Sequence, residues 1–318
     1  MTRVVVAMSG GVDSSVAAAM MAERGYEAVG VTLHLAGESS RCCSLADADD
    51  ARRVAERLGI RFFVVNYRER FEREVKQAFA DAYLSGRTPI PCVTCNSRFK
   101  FEYLLDRARA LGADRVASGH YARVDRDPQS GRFRLRRAVD RTKDQSYFLF
   151  ELSQVQLAAL ELPLGGLTKS EVRERARALG LATAEKPESQ EICFVPDGDY
   201  ARVVEQTRPD RLPGPGDVVD AEGRVLGRHA GIHRFTVGQR RGLGVSGPER
   251  RYVTRIDAAR NRVQVGGADE LLAEGARVLG VRWVAGGPPS GPVRARVQIR
   301  YRHDGAPAEV SPHGDAAA

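Results

Sequence analysis

Val4-Val5-Val6-Ala7-Met8-Ser9-Gly10-Gly11-Val12-Asp13-Ser14-Ser15 is the stretch on which the fold turns. Residues 3–8 form a short β-branched apolar run, fit for a strand buried on both faces. Residues 14–23 read as a helix ended by Gly25. The glycines between them let backbone approach a ligand closely. Free amides at the helix start, with the positive end of its dipole, favour an anion. Three serine hydroxyls add donors, and the loop reads as a phosphate cradle. It is not a Walker A loop, because no Gly-Lys-Ser/Thr follows, and Gly-x-Gly-x-x-Gly is missing at this turn. The alternative is an N-cap turn with no ligand. The full seven-residue string directly after a valine-rich strand argues against it.

Outward from the loop, strand and helix alternate. Residues 27–35 are a second strand. Ser44, with Asp47 three residues on, caps a helix that Gly59 ends. Residues 60–65 are a third strand, 70–84 and 96–111 are helical, and 115–118 are another strand. This alternation implies βαβ units and an α/β fold with a doubly wound parallel sheet. Residues 121–124 and 133–139 then flank a turn-rich tip, Asp127-Pro128-Gln129-Ser130-Gly131, and predict a hairpin. Thr168-x-x-Glu171 opens a helix over 168–180. Residues 209–216, rich in Pro and Gly, mark a boundary, and from Asp217 the chain reads as β-rich. The expected domains are 1–205, 206–271 and 272–318.

Composition bounds the class. The 318 residues exceed one ordinary core. With 42% hydrophobic and 28% charged residues the chain reads as globular. No apolar run approaches the roughly 20 residues that span a bilayer. The valine run near the start lacks the cleavage site of a secretory signal. A cytoplasmic location without membrane partners is expected. The net charge of +8 favours a polyanionic partner, nucleic acid first; a free use of arginine is the plain alternative. Five cysteines, an odd count, argue against a disulfide framework.

Cys92-Val93-Thr94-Cys95-Asn96 is expected in a loop opening a helix, where a thiolate is stabilised. A zinc half-site, a redox pair and a nucleophile all fit that pattern. The zinc reading wants a second Cys-x-x-Cys, which the chain lacks. Cys193, in Lys186-Pro187-Glu188-Ser189-Gln190-Glu191-Ile192-Cys193-Phe194, is the distant partner. Cys92, Cys95 and Cys193 together also allow iron–sulfur ligation.

The loop string resembles the pyrophosphate loop of the N-type ATP pyrophosphatases. With Cys42-Cys43-Ser44, Gly86-Arg87-Thr88-Pro89, Pro91 to Asn96, Ser118-Gly119-His120-Tyr121, Lys143-Asp144-Gln145-Ser146-Tyr147-Phe148, the Cys193 segment and Thr236-Val237-Gly238-Gln239-Arg240-Arg241-Gly242-Leu243-Gly244, the chain resembles the bacterial tRNA-specific 2-thiouridylases along nearly its whole length. That resemblance implies an adenine-nucleotide alpha-hydrolase-like sheet in a 1–205 ATP-pyrophosphatase domain. A small central β-rich domain and a C-terminal β-barrel would follow. The family's barrel continues past Ala318 with a Thr-Pro-Gly-Gln segment, so the last domain is expected to be incomplete.

The resemblance also implies site residues. ATP would meet Ala7, Met8, Ser9, Gly10, Gly11, Val12, Asp13 and Ser14, and its adenine Leu33 and Gly119. Magnesium would accompany the phosphates. Cys95 matches the family's nucleophile and Cys193 its persulfide carrier, the pair closing to a redox disulfide. Ile90, Pro91 and Cys92 would meet the target base. Lys143, Asp144, Gln145, Arg300 and Tyr301 would contact tRNA at its anticodon loop. The implied reaction adenylates the C2 oxygen of the wobble uridine and replaces it with sulfur, supplied by a persulfide donor protein. His120 reads equally as structural or active by itself, and the resemblance favours a role in activity. A 4-thiouridine synthetase or an amidotransferase-type ligase shares the loop; the Cys-x-x-Cys-Asn string and the Cys193 segment argue against both. A tRNA-binding protein without catalysis is the rival of another class.

Weaker signals remain. Arg132, Arg134, Arg136 and Arg137 suit a phosphate-facing ribbon or a merely solvated hairpin. His229 and His233, with Gly231 between them, favour a surface turn over a metal pair. Gly242-Leu243-Gly244-Val245-Ser246-Gly247 has no helix behind it and reads as a turn close to RNA rather than a nucleotide site.

Overall fold

The computed structural model describes residues 1–35, 44–188, 192–245, 249–313 and 316–317. Cys42, Cys43 and residues 189–191 of the Cys193 segment lie outside them, as do residues 246–248. Strand β1 (Arg3–Ala7) has Val4, Val5 and Val6 fully buried, as a strand covered on both faces requires. Helix α1 (Val12–Glu23) follows at once; its small residues Ala17, Ala18 and Ala19 let it sit deep in the core. Strand β2 (Glu27–His34) leads to α2 (Leu45–Leu58), which starts in the expected Ser44–Asp47 capping box. Gly59 ends α2 in the left-handed conformation, φ 66°. Strand β3 (Arg61–Asn66) completes this half.

The two expected central helices form with a different interior. The first runs as α3 (Arg68–Phe71), a π-helical stretch Glu72–Gln77, and α4 (Ala78–Leu84). The second runs as α5 (Pro91–Thr94), a π-helical stretch Cys95–Tyr103, and α6 (Leu104–Ala110). It begins five residues earlier than residue 96. Pro91 opens it, a position where a missing N–H costs nothing. Cys92 and Cys95 are therefore part of the helical run rather than a loop before it.

Strand β4 (Arg115–Ser118) precedes the hairpin of β5 (Ala122–Arg126) and β6 (Phe133–Arg137). Short α7 (Gln154–Ala158) and β7 (Leu160–Glu161) come next, then α8 (Lys169–Ala178) with its Thr168–Glu171 capping box. The main sheet has the order β3-β2-β1-β4-β7, and every pair is parallel. From β1 the chain moves to β2 on one side and later to β4 on the other. The carboxyl ends of β1 and β4 thus mark the topological switch point, where α/β sheets bind ligands.

The chain divides into two units that do not follow its linear order. One comprises Met1–Arg68, Cys92–Phe194 and Arg277–Ala318; the other comprises Glu69–Pro91 and Val195–Ala276. In the second, α4 packs on α9 (Tyr200–Thr207) through the stacked rings of Tyr83 and Tyr200, 4.5 Å apart. Arg208 pairs with Asp81 at 2.8 Å. Gly86 leaves room for Ile256, whose side chain a Cβ there would meet at 2.9 Å. Strands β8 (Gly216–Val219), β9 (Val225–His229), β10 (Tyr252–Asp257) and β11 (Arg262–Gly266) form a sheet in the order β10-β11-β8-β9. Val218, Ile232, Phe235, Val253, Val263 and Val265 lie in its core. Beyond it, β13 (Val293–Val297) pairs with β14 (Ala306–Val310), and β12 (Val278–Leu279), β15 (Pro312–His313) and β16 (Ala316–Ala317) form a three-stranded sheet. No helix among the described residues is long and apolar enough to cross a membrane.

Candidate functional site

The glycine loop occupies the switch point. Gly11 is the N-cap of α1 and no side chain caps it, so the first amides of the helix stay open to an anion. Gly10 needs its glycine twice over. Its φ is +70°, and a Cβ would stand 2.1 Å from the Asp47 carbonyl oxygen. The serines do less at the ligand face than expected. Ser14 and Ser15 donate back to the Gly11 carbonyl at 3.0 and 2.9 Å, and Ser15 is fully buried. They brace the turn. Met8 and Val12 are core residues, and Thr32 donates to the Met8 carbonyl at 2.6 Å. Leu33, near the end of β2, and Gly119, just past β4, stand on the two strands that flank β1. A Cβ on Gly119 would meet the Asp13 carbonyl carbon and the Ser14 nitrogen at 2.7 Å, so Gly119 admits the start of α1.

Charged groups that the sequence reading passed over surround Asp13. Lys169 donates to both Asp13 oxygens, at 2.7 and 2.8 Å, and Tyr121 donates its hydroxyl at 2.8 Å. Burial and the Asp13 charge push the Tyr121 phenol far up, so it stays a donor. Glu188 binds Lys169 at 3.0 Å and Lys143 at 2.6 Å. Burial opposes its ionisation, but those hydrogen bonds hold its carboxyl below the usual range. Lys186 donates to the Gly10 carbonyl at 3.1 Å, to Asp47 at 2.8 Å and to Asp50 at 2.6 Å. Lys186 and Glu188 sit inside the string quoted for Cys193, which was their only local signal. Tyr121 stood in the quoted Ser118-Gly119-His120-Tyr121 string, and Lys169 had no signal beyond standing next to a cap.

His120 is buried beside the other end of the site. Its Nδ1 lies 2.8 Å from the Ser118 hydroxyl, and its Nε2 lies 3.2 Å from the Asn96 oxygen. Asn96 also donates to the Phe148 carbonyl at 3.2 Å. The acceptor on Asn96 makes Nε2 the protonated nitrogen, and Nδ1 then accepts from Ser118. Burial, helped by the Lys100 charge, holds the imidazole well below its ordinary range, so it is neutral. His120 thereby anchors the residue next to Cys95. Gln156 donates to the Ser97 and Phe101 carbonyls at 2.9 and 3.2 Å, supporting the π-helical stretch that carries Cys95. Cys92, Cys95 and Cys193 are each half-buried. Among the described residues no three His, Cys, Asp or Glu side chains converge to hold a metal, those cysteines included.

The expected RNA contacts divide. Lys143, Asp144 and Gln145 adjoin the site, and the structure brings Tyr301 to them. The Tyr301 hydroxyl donates to the Asp144 carbonyl at 3.3 Å, and its ring lies 4.5 Å from Phe148. Asp144 accepts from Ala138 and Ser146, and Gln145 accepts from the Tyr121 amide. Both therefore also hold the turn in place. Arg300 is exposed. Ile90 is exposed and Pro91 buried, both in the second unit. The arginine ribbon is partly neutralised: Arg134 pairs with Asp125 and Asp127, and Arg136 with Asp125. His229 and His233 are not on a surface turn; both are buried, His233 against Glu205 at 2.9 Å. The His229 ring lies 5.5 Å from that of Phe235 in the sheet core, a contact the glycine between the histidines did not reveal. Arg240, Arg250 and Arg251 line a concavity of about 730 Å³ beside Gly242 and Gly244, with Leu243 packed into the core of the second unit.

Comparison with known proteins adds a family context. Residues 2–197 match the family model described as tRNA methyl transferase HUP domain, and residues 202–267 match tRNA methyl transferase PRC-barrel domain. A tRNA-specific 2-thiouridylase of Geotalea uraniireducens (strain Rf4) is 52% identical over 323 residues, covering 98% of this chain and 85% of the relative. One of Chloroflexus aggregans (strain MD-66 / DSM 9485) is 51% identical over 321 residues, covering 99% and 89%. Among solved structures, a 4-thiouridine synthetase–RNA complex with bound ATP aligns over 66% of this chain and 51% of that one, at 21% identity and a TM-score of 0.43, too distant to bear on the chemistry.

Proposed function

The chain belongs to the tRNA-specific 2-thiouridylase family, and from that premise we propose that it is a tRNA-uridine 2-sulfurtransferase that spends ATP to activate the base. The observation that carries the ATP half is the uncapped start of α1 behind Ser9-Gly10-Gly11, at the switch point and next to Lys169 and Lys186. Open amides and ammonium groups there suit a triphosphate. Leu33 and Gly119 flank the end of β1 and would take the adenine.

The chemistry has a clear logic. The C2 oxygen of uridine is a poor leaving group. Transfer of AMP to that oxygen, with release of pyrophosphate, makes it a good one. The terminal sulfur of a persulfide on Cys193 then attacks C2, and AMP departs. The Cys95 thiolate attacks the inner sulfur of Cys193, leaving the outer sulfur on the base and a Cys95–Cys193 disulfide. An external reductant restores the thiols, and a donor protein reloads the persulfide. Ile90, Pro91 and Cys92 would hold the wobble base splayed from the anticodon loop. Lys143, Asp144, Gln145, Arg300 and Tyr301 would hold the RNA. His120, neutral and turned toward Asn96, keeps the Cys95 helix in place. Magnesium would enter with the nucleotide, and among the described residues no three-residue protein donor set awaits it. The same test gives Cys92, Cys95 and Cys193 no arrangement for an iron–sulfur cluster, and no step is written through one. Cytoplasmic tRNA as substrate makes the cytoplasm the expected location.

The matched family models carry a methyltransferase description, yet a methyl transfer needs neither a pyrophosphate loop nor two cysteines. Cys193→Ser separates the steps. It should abolish thiolation while tRNA-dependent pyrophosphate release continues, measured side by side in one incubation. Thiolation at the wild-type rate would sink the persulfide assignment.

A further inference from the structure

Gln156 reaches from the third position of α7 to the helical run that carries Cys95. Its side-chain amide makes the four hydrogen bonds open to it. Oε1 accepts from the Ser153 amide at 2.9 Å and from the Ser153 hydroxyl at 3.0 Å, closing the capping box of α7. Nε2 donates to the Ser97 and Phe101 carbonyls at 2.9 and 3.2 Å. The amide therefore has one orientation; turned over, its oxygen would face two carbonyl oxygens. Glutamate closes a capping box as well as glutamine does, but an ionised carboxylate has no hydrogen for Ser97 or Phe101. The cap alone leaves the choice open, and the two carbonyls select glutamine.

Those carbonyls belong to the π-helical stretch, whose first residue is Cys95. Its end shows the wide register: the Leu104 amide donates to the Phe99 carbonyl, five residues back. Such turns are rare and occur mostly as short insertions, often at functional sites. Closing one into an α-helical turn expels one residue, which is about 100° of rotation. Leu104 and Leu105 are buried and hold the far end, so the rotation would fall on Cys95. Asn96, tied to His120 and Phe148, and Ser97, whose hydroxyl donates to Glu151 at 2.8 Å, hold the neighbouring residues by their side chains. Gln156 differs from these in holding carbonyls of the stretch itself. We infer that Gln156 is a positioning residue for the sulfur step: it keeps the π-helical register and with it the aim of the Cys95 thiol. The inference rests on the assignment of Cys95 as nucleophile, and adds what holds that nucleophile in line.

The test uses the full chain with tRNA, ATP and glutathione persulfide, and follows pyrophosphate release and thiolated tRNA in one incubation. Gln156→Glu keeps the cap and sets a carboxylate against the two carbonyls; Gln156→Met keeps the bulk without donor or charge. In both, pyrophosphate release should stay within about twofold of the wild type while thiolation falls about tenfold or more, because a small misplacement of a reacting atom costs that much. The pH profile of Cys95 alkylation by iodoacetamide, separated from Cys92 by fragment-ion mass spectrometry, should shift in both, since the surroundings of the thiol change. Thiolation at the wild-type rate in either variant, or an unmoved Cys95 profile, overturns the inference. Loss of both activities in parallel, or failure of both variants to fold, makes Gln156 a structural residue only and also overturns it. Cys95→Ser tests the premise: thiolation at the wild-type rate there removes the nucleophile assignment, and this inference with it. A wild-type chain that forms no thiolated tRNA contradicts the sulfurtransferase reading, while the alkylation profile still decides for or against the placement of Cys95.

Discussion

His120 accepts at Nδ1 from Ser118 and donates at Nε2 to Asn96, which fixes a neutral ring in a buried place. In the unfolded chain the same ring titrates near ~6.5. Its folded value is depressed, so the unfolded state binds the proton first. The stability it contributes is whole above that value and is lost as pH falls below it. Replacing His120 by Gln keeps an amide near Asn96 and removes the titration. The fall in thermal midpoint between about pH 7.5 and about pH 5.5 should be smaller in His120→Gln than in the wild type. An equal fall in both would mean that another group carries the acid sensitivity. His120 was legible as a residue at a strand end. Its role was not, because Asn96 and Ser118 become its partners only when the β4 end meets the second central helix.

At the scale of elements, β1, the loop and α1 were readable together because they are contiguous and each obeys a local rule. The capping boxes at Ser44 and Thr168 were readable for the same reason. The π-helical turns of Cys95–Tyr103 were not, since no local spacing marks them and their stray carbonyls are met by Gln156, 55 residues or more away. The ion pairs of Lys169 with Asp13 and of Lys186 with Asp47 were equally hidden, 156 and 139 residues apart in sequence. Glycine placement gives a test at this scale. Gly119 sits where β4 hands over to the backbone of α1, and a Cβ there would press on Asp13 and Ser14. Gly119→Ala should cost about 1–3 kcal/mol by overpacking. It should also weaken nucleotide binding, read by titration with α,β-methylene-ATP, because the amides of α1 must shift. A variant with unchanged stability and affinity would show that the two elements do not define the site.

For the whole molecule, the two compact units are each assembled from separate stretches of the chain. Residues 69–91 join the later β-rich unit and residues 277–318 join the first. Periodicity describes segments; it does not say which distant segment covers which face. The net charge of +8 fits an RNA partner without naming one. Of the proposed RNA contacts at Lys143, Asp144, Gln145, Arg300 and Tyr301, the Tyr301 hydroxyl meets the Asp144 carbonyl. The central claim, that ATP-dependent adenylation prepares a tRNA uridine for sulfur, is tested most directly by mass analysis of tRNA after incubation with the protein, ATP and a persulfide donor. The account predicts replacement of one uridine oxygen by sulfur, dependent on ATP and matched by equimolar AMP and pyrophosphate. Thiolation without ATP, a methyl gain in place of sulfur, or unchanged tRNA beside active nucleotide cleavage would contradict it.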